Sequence, residues 1–245
     1  MVRIVAIIEA RMTSTRLPGK HMMLANNKPM IEHLVNRLKR VPSLNDIVMA
    51  TTVNDTDEPL IELAIDTDIS FFRGSENDVM SRVIGAAESV KADIIVGITG
   101  DCTVIDPLLI EQAIQVFIHN SCAYVNNAAV PSYPGGMNTQ VYALESLKKS
   151  AEMTNDPLDR EHVTSYIFRH KELFPPIYLV ASPDLFWPDL QLELDERNDY
   201  KFLKKIIEYF GSENNCFSCR EIINLLKDNP EWSKVNQNVK RRGFE

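Results

Sequence analysis

The 245-residue chain reads as an α/β fold, a mostly parallel sheet sandwiched by helices. Three observations predict this class. Short apolar runs of strand length are bounded by polar loops. Between them lie stretches whose apolar residues recur at helical spacing. The two patterns alternate along the first half of the chain, as βαβ units do. Such units place successive strands parallel and cover both faces with helices. At about 150 residues per domain the length allows one or two domains; we take 1–245 as a single domain, with residues 128–185 as an arm or subdomain within it.

Residues 4–8 form a continuous apolar run, the signature of a strand covered on both faces. A polar loop follows from Glu9 to about Asn27. Pro29 then opens a helical pattern of Met30, Ile31, Leu34, Val35 and Leu38, a first-turn position suited to proline. Residues 46–51 predict a second strand, 59–65 a short helix and 69–72 a third strand. Helical spacing returns over 77–91, and residues 93–98 form a fourth, buried strand. Pro107 after Asp106 opens a helix over 107–118, with Asp106 as its N-cap. Beyond residue 120, Pro131, Pro134, Gly135 and Gly136 mark a turn-rich stretch. A strand is expected at 141–143, helices at 144–153 and 159–172, and strands at 177–181 and 190–195. Helices at 197–210 and 219–228 follow.

Apolar residues make up 44% of the chain and charged residues 24%, enough to form a core and to exclude disorder. The net charge of −8 argues against a non-specific nucleic-acid or membrane-surface binder, so neither partner is expected. No apolar run approaches 18 residues, and the run at 4–8 is short for a signal-peptide core. A cytoplasmic location is therefore expected, and the sparse cysteines agree with a reduced compartment. Cys216 and Cys219 form a lone C-x-x-C. A zinc site needs four ligands and no second pair follows, so two semi-buried thiols near the start of a late helix are preferred.

In parallel sheets ligands bind at the carboxyl ends of the strands. The loops after residues 8, 51, 73 and 98 should therefore share one edge. The first is the most informative: Glu9-Ala10-Arg11-Met12-Thr13-Ser14-Thr15-Arg16-Leu17-Pro18-Gly19-Lys20. Arg11, Arg16 and Lys20 are interleaved with hydroxyl residues, in a chain of negative net charge. Paired guanidinium donors, an ammonium and backbone N–H groups together suit several phosphate oxygens. The loop is neither a Walker loop, because Ser14 and His21 stand where glycine and a hydroxyl residue are needed, nor a three-glycine dinucleotide loop. At the same edge, Gly97-Ile98-Thr99-Gly100-Asp101-Cys102-Thr103-Val104-Ile105-Asp106-Pro107 ends the fourth strand. Gly100 lets the backbone pass close to a ligand. Asp101 stands where a hard cation would bridge protein and phosphates, magnesium taking one or two carboxylates plus phosphate oxygens and water. In Asp189–Asp199 the alternation sets Leu190, Leu192 and Leu194 on one face and Gln191, Glu193 and Asp195 on the other. Asp195 is the candidate second metal carboxylate.

Ala10-Arg11 through Ser14-Thr15-Arg16-Leu17-Pro18-Gly19-Lys20 closely resembles the phosphate loop of the cytidylyltransferases that make CMP-activated sugar acids, the 3-deoxy-manno-octulosonate and acylneuraminate enzymes among them. Gly100-Asp101-Cys102 with Ile105-Asp106-Pro107 is similar to their second motif. Leu194-Asp195 followed by Asp199 is similar to their late aspartate motif. The branch that includes spore-coat polysaccharide biosynthesis proteins is the nearest likeness, with Arg160-Glu161-His162-Val163-Thr164 and Asn229-Pro230 as further counterparts.

The resemblance implies a nucleotide-diphospho-sugar transferase-like, Rossmann-like fold with a dimerisation arm, Mg²⁺ as cofactor and CTP as donor. It implies CMP transfer to a sugar acid or related sugar with release of pyrophosphate, for surface polysaccharide synthesis, by a homodimer. Arg11, Arg16 and Lys20 would hold the triphosphate, Asp101 and Asp195 the metal, and Ser14 would add a hydroxyl contact. Ala10 and Thr99 belong to the same nucleotide set, and Thr51, Thr52 and Arg73 are expected around the base or ribose. The relatives' acidic residues near 135–141 are replaced here by Asn138 and Gln140, which changes how an acceptor is held. Glu161 and His162 stand as acceptor contacts or as plain helix residues. Two other readings remain beside this one. A glycosyltransferase of related fold normally shows Asp-x-Asp, whereas Cys102 and Thr103 follow Asp101. A non-catalytic nucleotide-binding relative is the other, motivated by Asn138 and Gln140.

Overall fold

The chain starts with β1 (Ile4–Glu9), a strand buried along almost its whole length. The computed structural model describes residues 2–211, 216–237 and 239. The loop expected after β1 holds a single 3₁₀ turn at Lys20–Met22 and then a small antiparallel hairpin of β2 (Leu24–Ala25) and β3 (Lys28–Pro29). Asn26 and Asn27 form its tip at φ of 47° and 59°, a left-handed pair that asparagine tolerates. Next come α1 (Met30–Leu38), β4 (Asp46–Thr52), α2 (Glu58–Asp66), β5 (Ser70–Gly74), α3 (Val79–Ser89), β6 (Ile94–Thr99) and α4 (Pro107–His119). Each lies within a few residues of its expected bounds. Asp106 caps α4 as expected, its carboxylate accepting from the Leu108 N–H at 2.9 Å.

After residue 120 the structure departs from the expected elements. β7 (Tyr124–Asn126) was not expected; three residues are too few for a period to register. β8 (Gln140–Ala143) and α5 (Leu144–Met153) follow as expected. The single helix expected over 159–172 is two short ones, α6 (Pro157–Glu161) and α7 (Ser165–Arg169). Val163 separates them at φ 43°, a left-handed conformation no continuous helix accommodates. β9 (Pro176–Tyr178) is shorter than expected. The strand expected at 190–195 is not a ladder: the segment is extended, with one bridge between Gly135 and Gln191. α8 (Arg197–Phe210) and α9 (Cys219–Asp228) complete the helices, both opened by capping boxes. Cys219 is buried in the first turn of α9 and Cys216 is half-buried, so the C-x-x-C is two free thiols.

The seven-stranded sheet has the order β5-β4-β1-β6-β8-β7-β9, in which β8 alone runs against its neighbours. The chain moves outward from β1 through β4 to β5, then crosses to β6 on the other side of β1. That reversal makes a crevice between the carboxyl ends of β1 and β6, the place where such sheets bind ligands. One face packs Ile4, Ala6 and Ile8 against α1, α2 and α4. The other packs Val5 and Ile7 against α3, α5 and α7. Residues 128–185 therefore supply β8 and β9 to the sheet and α5 to α7 beside it.

A third cluster lies beyond the sheet, where α8 and α9 pack on Leu190, Leu192, Leu194, Val104 and Met137. The alternation read from the sequence holds here: the three leucines are buried. Backbone bonds moor the segment at separate points. Gly135 bonds the main chain on both sides of Gln191: its N–H donates to the Leu190 carbonyl and its carbonyl accepts from the Leu192 N–H, both at 2.9 Å. The Leu194 N–H reaches the Asp101 carbonyl at 3.0 Å. Leu192→Ala should destabilise the protein by about 2–5 kcal/mol in chemical denaturation, because the side chain is fully buried and its removal leaves a cavity.

Candidate active site

Three chain segments meet at the crevice. The first loop leaves β1 and turns back at Gly19, whose φ of 70° favours glycine and whose N–H donates to the Met12 carbonyl at 3.0 Å. Ser14 shapes the same turn, its hydroxyl accepting from the Leu17 N–H at 3.4 Å. Beside it, the Gly100 N–H donates to the Glu9 carbonyl at 2.9 Å. A Cβ on Gly100 would lie 2.9 Å from the His21 ring and 3.0 Å from Ala10 Cβ, so only glycine lets the two loops touch. The third segment, after Leu194, is tied to the Asp101 carbonyl.

The side chains converge accordingly. The Lys20 ammonium lies 3.5 Å from Asp101 Oδ2 and 3.1 Å from Asp195 Oδ1. Arg16 Nη2 lies 2.8 Å from Asp195 Oδ2. Residues 16, 20, 101 and 195 thus form one charge cluster, in which Lys20 is nearly buried. Thr99 donates its hydroxyl to Asp101 Oδ1 at 2.6 Å and orients that carboxylate. Burial pushes the Asp101 carboxyl up, but the Lys20 ammonium and the Thr99 hydroxyl outweigh it and hold the group below the ordinary range. Asp199 caps α8 and accepts from the Asp195 and Glu196 N–H groups at 3.2 and 2.8 Å, fixing the backbone that carries Asp195. Asn236 in turn donates to Asp199 Oδ1 at 2.9 Å.

The remaining expected residues are placed differently. Arg11 reaches Glu76 at 3.5 Å. Thr51 and Thr52 are fully buried, and their hydroxyls donate to Asp57 Oδ2 at 2.8 and 2.6 Å. These hydroxyls hold Asp57 at the end of β4. The Arg73 guanidinium donates to the Thr52 and Asn54 carbonyls at 3.1 and 3.0 Å and pairs with Glu58, bracing the loop after β4. Asn138 donates to Glu193 Oε1 at 3.0 Å, an oxygen that also accepts the Gly136 N–H. Gln140 accepts from Tyr124 and Thr164 at the start of β8. Glu161 and His162 are exposed at the end of α6, next to Arg160, whose guanidinium pairs with Asp78.

Sequence reasoning missed three supporting groups. Asp57 accepts the Met12 N–H at 2.7 Å as well as both threonines, so it couples the first loop to the end of β4. These donors hold its carboxyl below the ordinary range against the opposing effect of burial. Three aspartates stand within 55–66 without any spacing that singles this one out. His21 is buried against Gly100, and burial with the Lys20 charge pushes its pKa down to about 4, so the ring is neutral at neutral pH. Glu9, at the tip of β1, has its carboxyl pushed up to about 7 by burial.

The donor set fits a magnesium ion. Asp101 and Asp195 are hard oxygen donors that approach the same ammonium, and magnesium needs only one or two carboxylates when phosphates and water complete its shell. Among the described residues no cluster of three or more His, Cys, Asp or Glu side chains suits a metal.

The family model for cytidylyltransferases matches residues 5–228, a span that contains the whole cluster. The chain belongs to the cytidylyltransferase family. Among relatives of this cytidylyltransferase, protein MJ1063 of Methanocaldococcus jannaschii is 31% identical over 99% of this chain and 98% of its own. The spore coat polysaccharide biosynthesis protein SpsF of Bacillus subtilis is 31% identical over 93% of this chain and 95% of its own. The structure of a cytidylyltransferase from Leptospira borgpetersenii superposes with a TM-score of 0.90 at 30% identity, covering 99% of this chain and all of that one. The mostly parallel helix-flanked sheet is thus the family's fold. No helix among the described residues is long and apolar enough to cross a membrane.

Asp57→Asn should lower stability at neutral pH by about 1–3 kcal/mol, since it sets an amide against four donors. The Asp57 carboxyl is depressed in the folded state, so its contribution is present above the ordinary value of 3.8 and lost as pH falls through the lower folded value. The gap between the parent and the variant in urea denaturation should therefore narrow below about pH 4.

Proposed function

We propose that this cytidylyltransferase transfers CMP from CTP to a sugar hydroxyl, on a sugar acid or related sugar, and releases pyrophosphate for the synthesis of a surface polysaccharide. The observation that carries the reading is the meeting of Lys20 and Arg16 with Asp101 and Asp195 at the switch point of the sheet. Two cations beside two carboxylates suit a triphosphate and a divalent ion together. The acceptor class rests on the motif resemblance and on the stated role of the Bacillus relative in polysaccharide biosynthesis.

The acceptor hydroxyl oxygen attacks the α-phosphorus in line and gives up its proton to solvent, the bond from that phosphorus to the bridging oxygen breaks, and pyrophosphate leaves with the electron pair. Lys20 and Arg16, with Arg11 at the start of the loop, neutralise the charge that grows on the leaving group. Thr99 and Asp199 keep the two carboxylates in place, so no reorganisation is needed at the moment of reaction. A magnesium ion held by Asp101 and Asp195 would supply Lewis-acid polarisation of the phosphate. Asn138, just before β8, and Gln140, at its start, set neutral amides against Glu193, Tyr124 and Thr164, where an acceptor would lie.

Pyrophosphate release with each of the four nucleoside triphosphates, Mg²⁺ and a panel of sugar acids and neutral sugars tests the reading. Release with CTP and one acceptor is expected; none with any pair would overturn it. Asp101→Asn and Lys20→Met should each lower kcat/KM by about 10²–10³-fold, the usual effect of losing one charged contact to the transition state.

We also infer that two copies associate through the 128–185 segment. Val130, Leu158, Phe168, Leu173 and Val180 expose large apolar side chains there, and Phe186 does so just beyond it, which supports a covered face. Light scattering should give a dimer mass, and Phe186→Glu with Val180→Glu should shift it to the monomer.

A further inference from the structure

The Lys20 ammonium occupies the position that two carboxylates would share through a divalent cation. It is 3.5 Å from Asp101 and 3.1 Å from Asp195, and Arg16 holds the second oxygen of Asp195 at 2.8 Å. The Lys20 side chain is 9% exposed and that of Asp195 12%, so solvent screens these charges weakly. Formally the four groups cancel: two negative carboxylates, one ammonium, one guanidinium. A divalent cation arriving alone meets two cations already seated and leaves a buried surplus of positive charge. A nucleoside triphosphate with its metal is a net anion, and its phosphate oxygens offer the ammonium and the guanidinium new partners.

We propose that Lys20 and Arg16 serve as internal counter-ions that keep the Asp101–Asp195 pair closed to a divalent cation until a nucleoside triphosphate draws them away, so that metal and nucleotide bind together and metal alone binds poorly. This rests on the assignment of Asp101 and Asp195 as the metal carboxylates. The exchange needs side-chain motion only. The backbone of Lys20 is held in its turn, its N–H donating to the Leu17 carbonyl at 3.2 Å and its carbonyl accepting from Met23 at 3.3 Å. Both carboxylates keep their places without Lys20: Asp101 through the Thr99 hydroxyl, and the Asp195 backbone through Asp199. Each is therefore ready for a cation as soon as the ammonium moves to phosphate.

The proposal gives Lys20 opposite effects on the two ligands. Removing its charge leaves the cluster with a net negative charge, which favours metal alone and disfavours nucleotide alone. A residue that only supports the fold would weaken both when removed. By linkage, nucleotide and metal must raise each other's affinity by the same factor.

The test titrates the whole protein with Mn²⁺ alone, following free Mn²⁺ by electron paramagnetic resonance, for the parent, Lys20→Met, Lys20→Arg and Arg16→Gln. The parent and Lys20→Arg should bind Mn²⁺ weakly. Lys20→Met and Arg16→Gln should bind it at least about fivefold more tightly, within the usual range of coupling between sites. In parallel, CTP binding with EDTA, read by calorimetry, should weaken in both charge-removing variants. Parent protein that binds Mn²⁺ alone as tightly as Lys20→Met, or a Lys20→Met that binds it more weakly, overturns the proposal. If Lys20→Met loses the near-ultraviolet dichroism of the folded parent, Arg16→Gln carries the comparison, since its side chain is 28% exposed and its loss leaves less unpaired. The metal arm needs neither CTP nor acceptor, so it reads the proposal even if no pyrophosphate is ever released; absence of turnover overturns the transfer reading alone.

Discussion

The contact between the Lys20 ammonium and the carboxylates of Asp101 and Asp195 joins three parts of the chain that are far apart in sequence, and much of the surrounding structure exists to make it possible. Buried charges are tolerated only where partners and hydrogen bonds compensate their lost hydration. The compensation here is layered. Thr99 orients Asp101, Asp199 fixes the backbone of Asp195, and Asn236 holds Asp199. Take away any one layer and a charged group is left with fewer partners than its burial requires.

The sheet supplies the rigid part of this arrangement. Because the strand order reverses beside β1, the loops leaving β1 and β6 face each other across one crevice. Gly100 allows them to close to van der Waals distance, and Asp57 ties the first loop to the end of β4 from the other side. Lysine and arginine stems can trade carboxylate for phosphate without moving the backbone, which is a reasonable basis for a site that must accept a polyanion and a cation.

The third element, the extended segment from Leu190 to Asp195, is held differently from a strand. Its leucines are buried against α8 and α9, while its main chain is pinned at Gly135 and at Asp101. The apolar face thereby sets the direction of the polar face, and Asp195 points back into the crevice. Packing in the outlying cluster and charge placement in the site are consequences of the same alternation of side chains.

Periodicity by itself determined the order and approximate bounds of the main strands and helices through α4, though not of the short β2–β3 hairpin, because buried strands and amphipathic helices leave repeating apolar patterns that survive in one dimension. The motif residues Arg16, Lys20 and Asp101 were legible for the same reason: basic, glycine and acidic groups stood at predicted strand ends. The short β7, the break at Val163 and the bridge-only segment at 190–195 were decided by tertiary contacts, since segments of a few residues carry no period of their own. The roles of Thr51, Thr52 and Asp57 were likewise invisible, because a hydroxyl near a strand end looks the same whether it faces a ligand or a buried carboxylate. Only the folded chain, which sets distances between residues remote in sequence, decides which charge a given side chain answers.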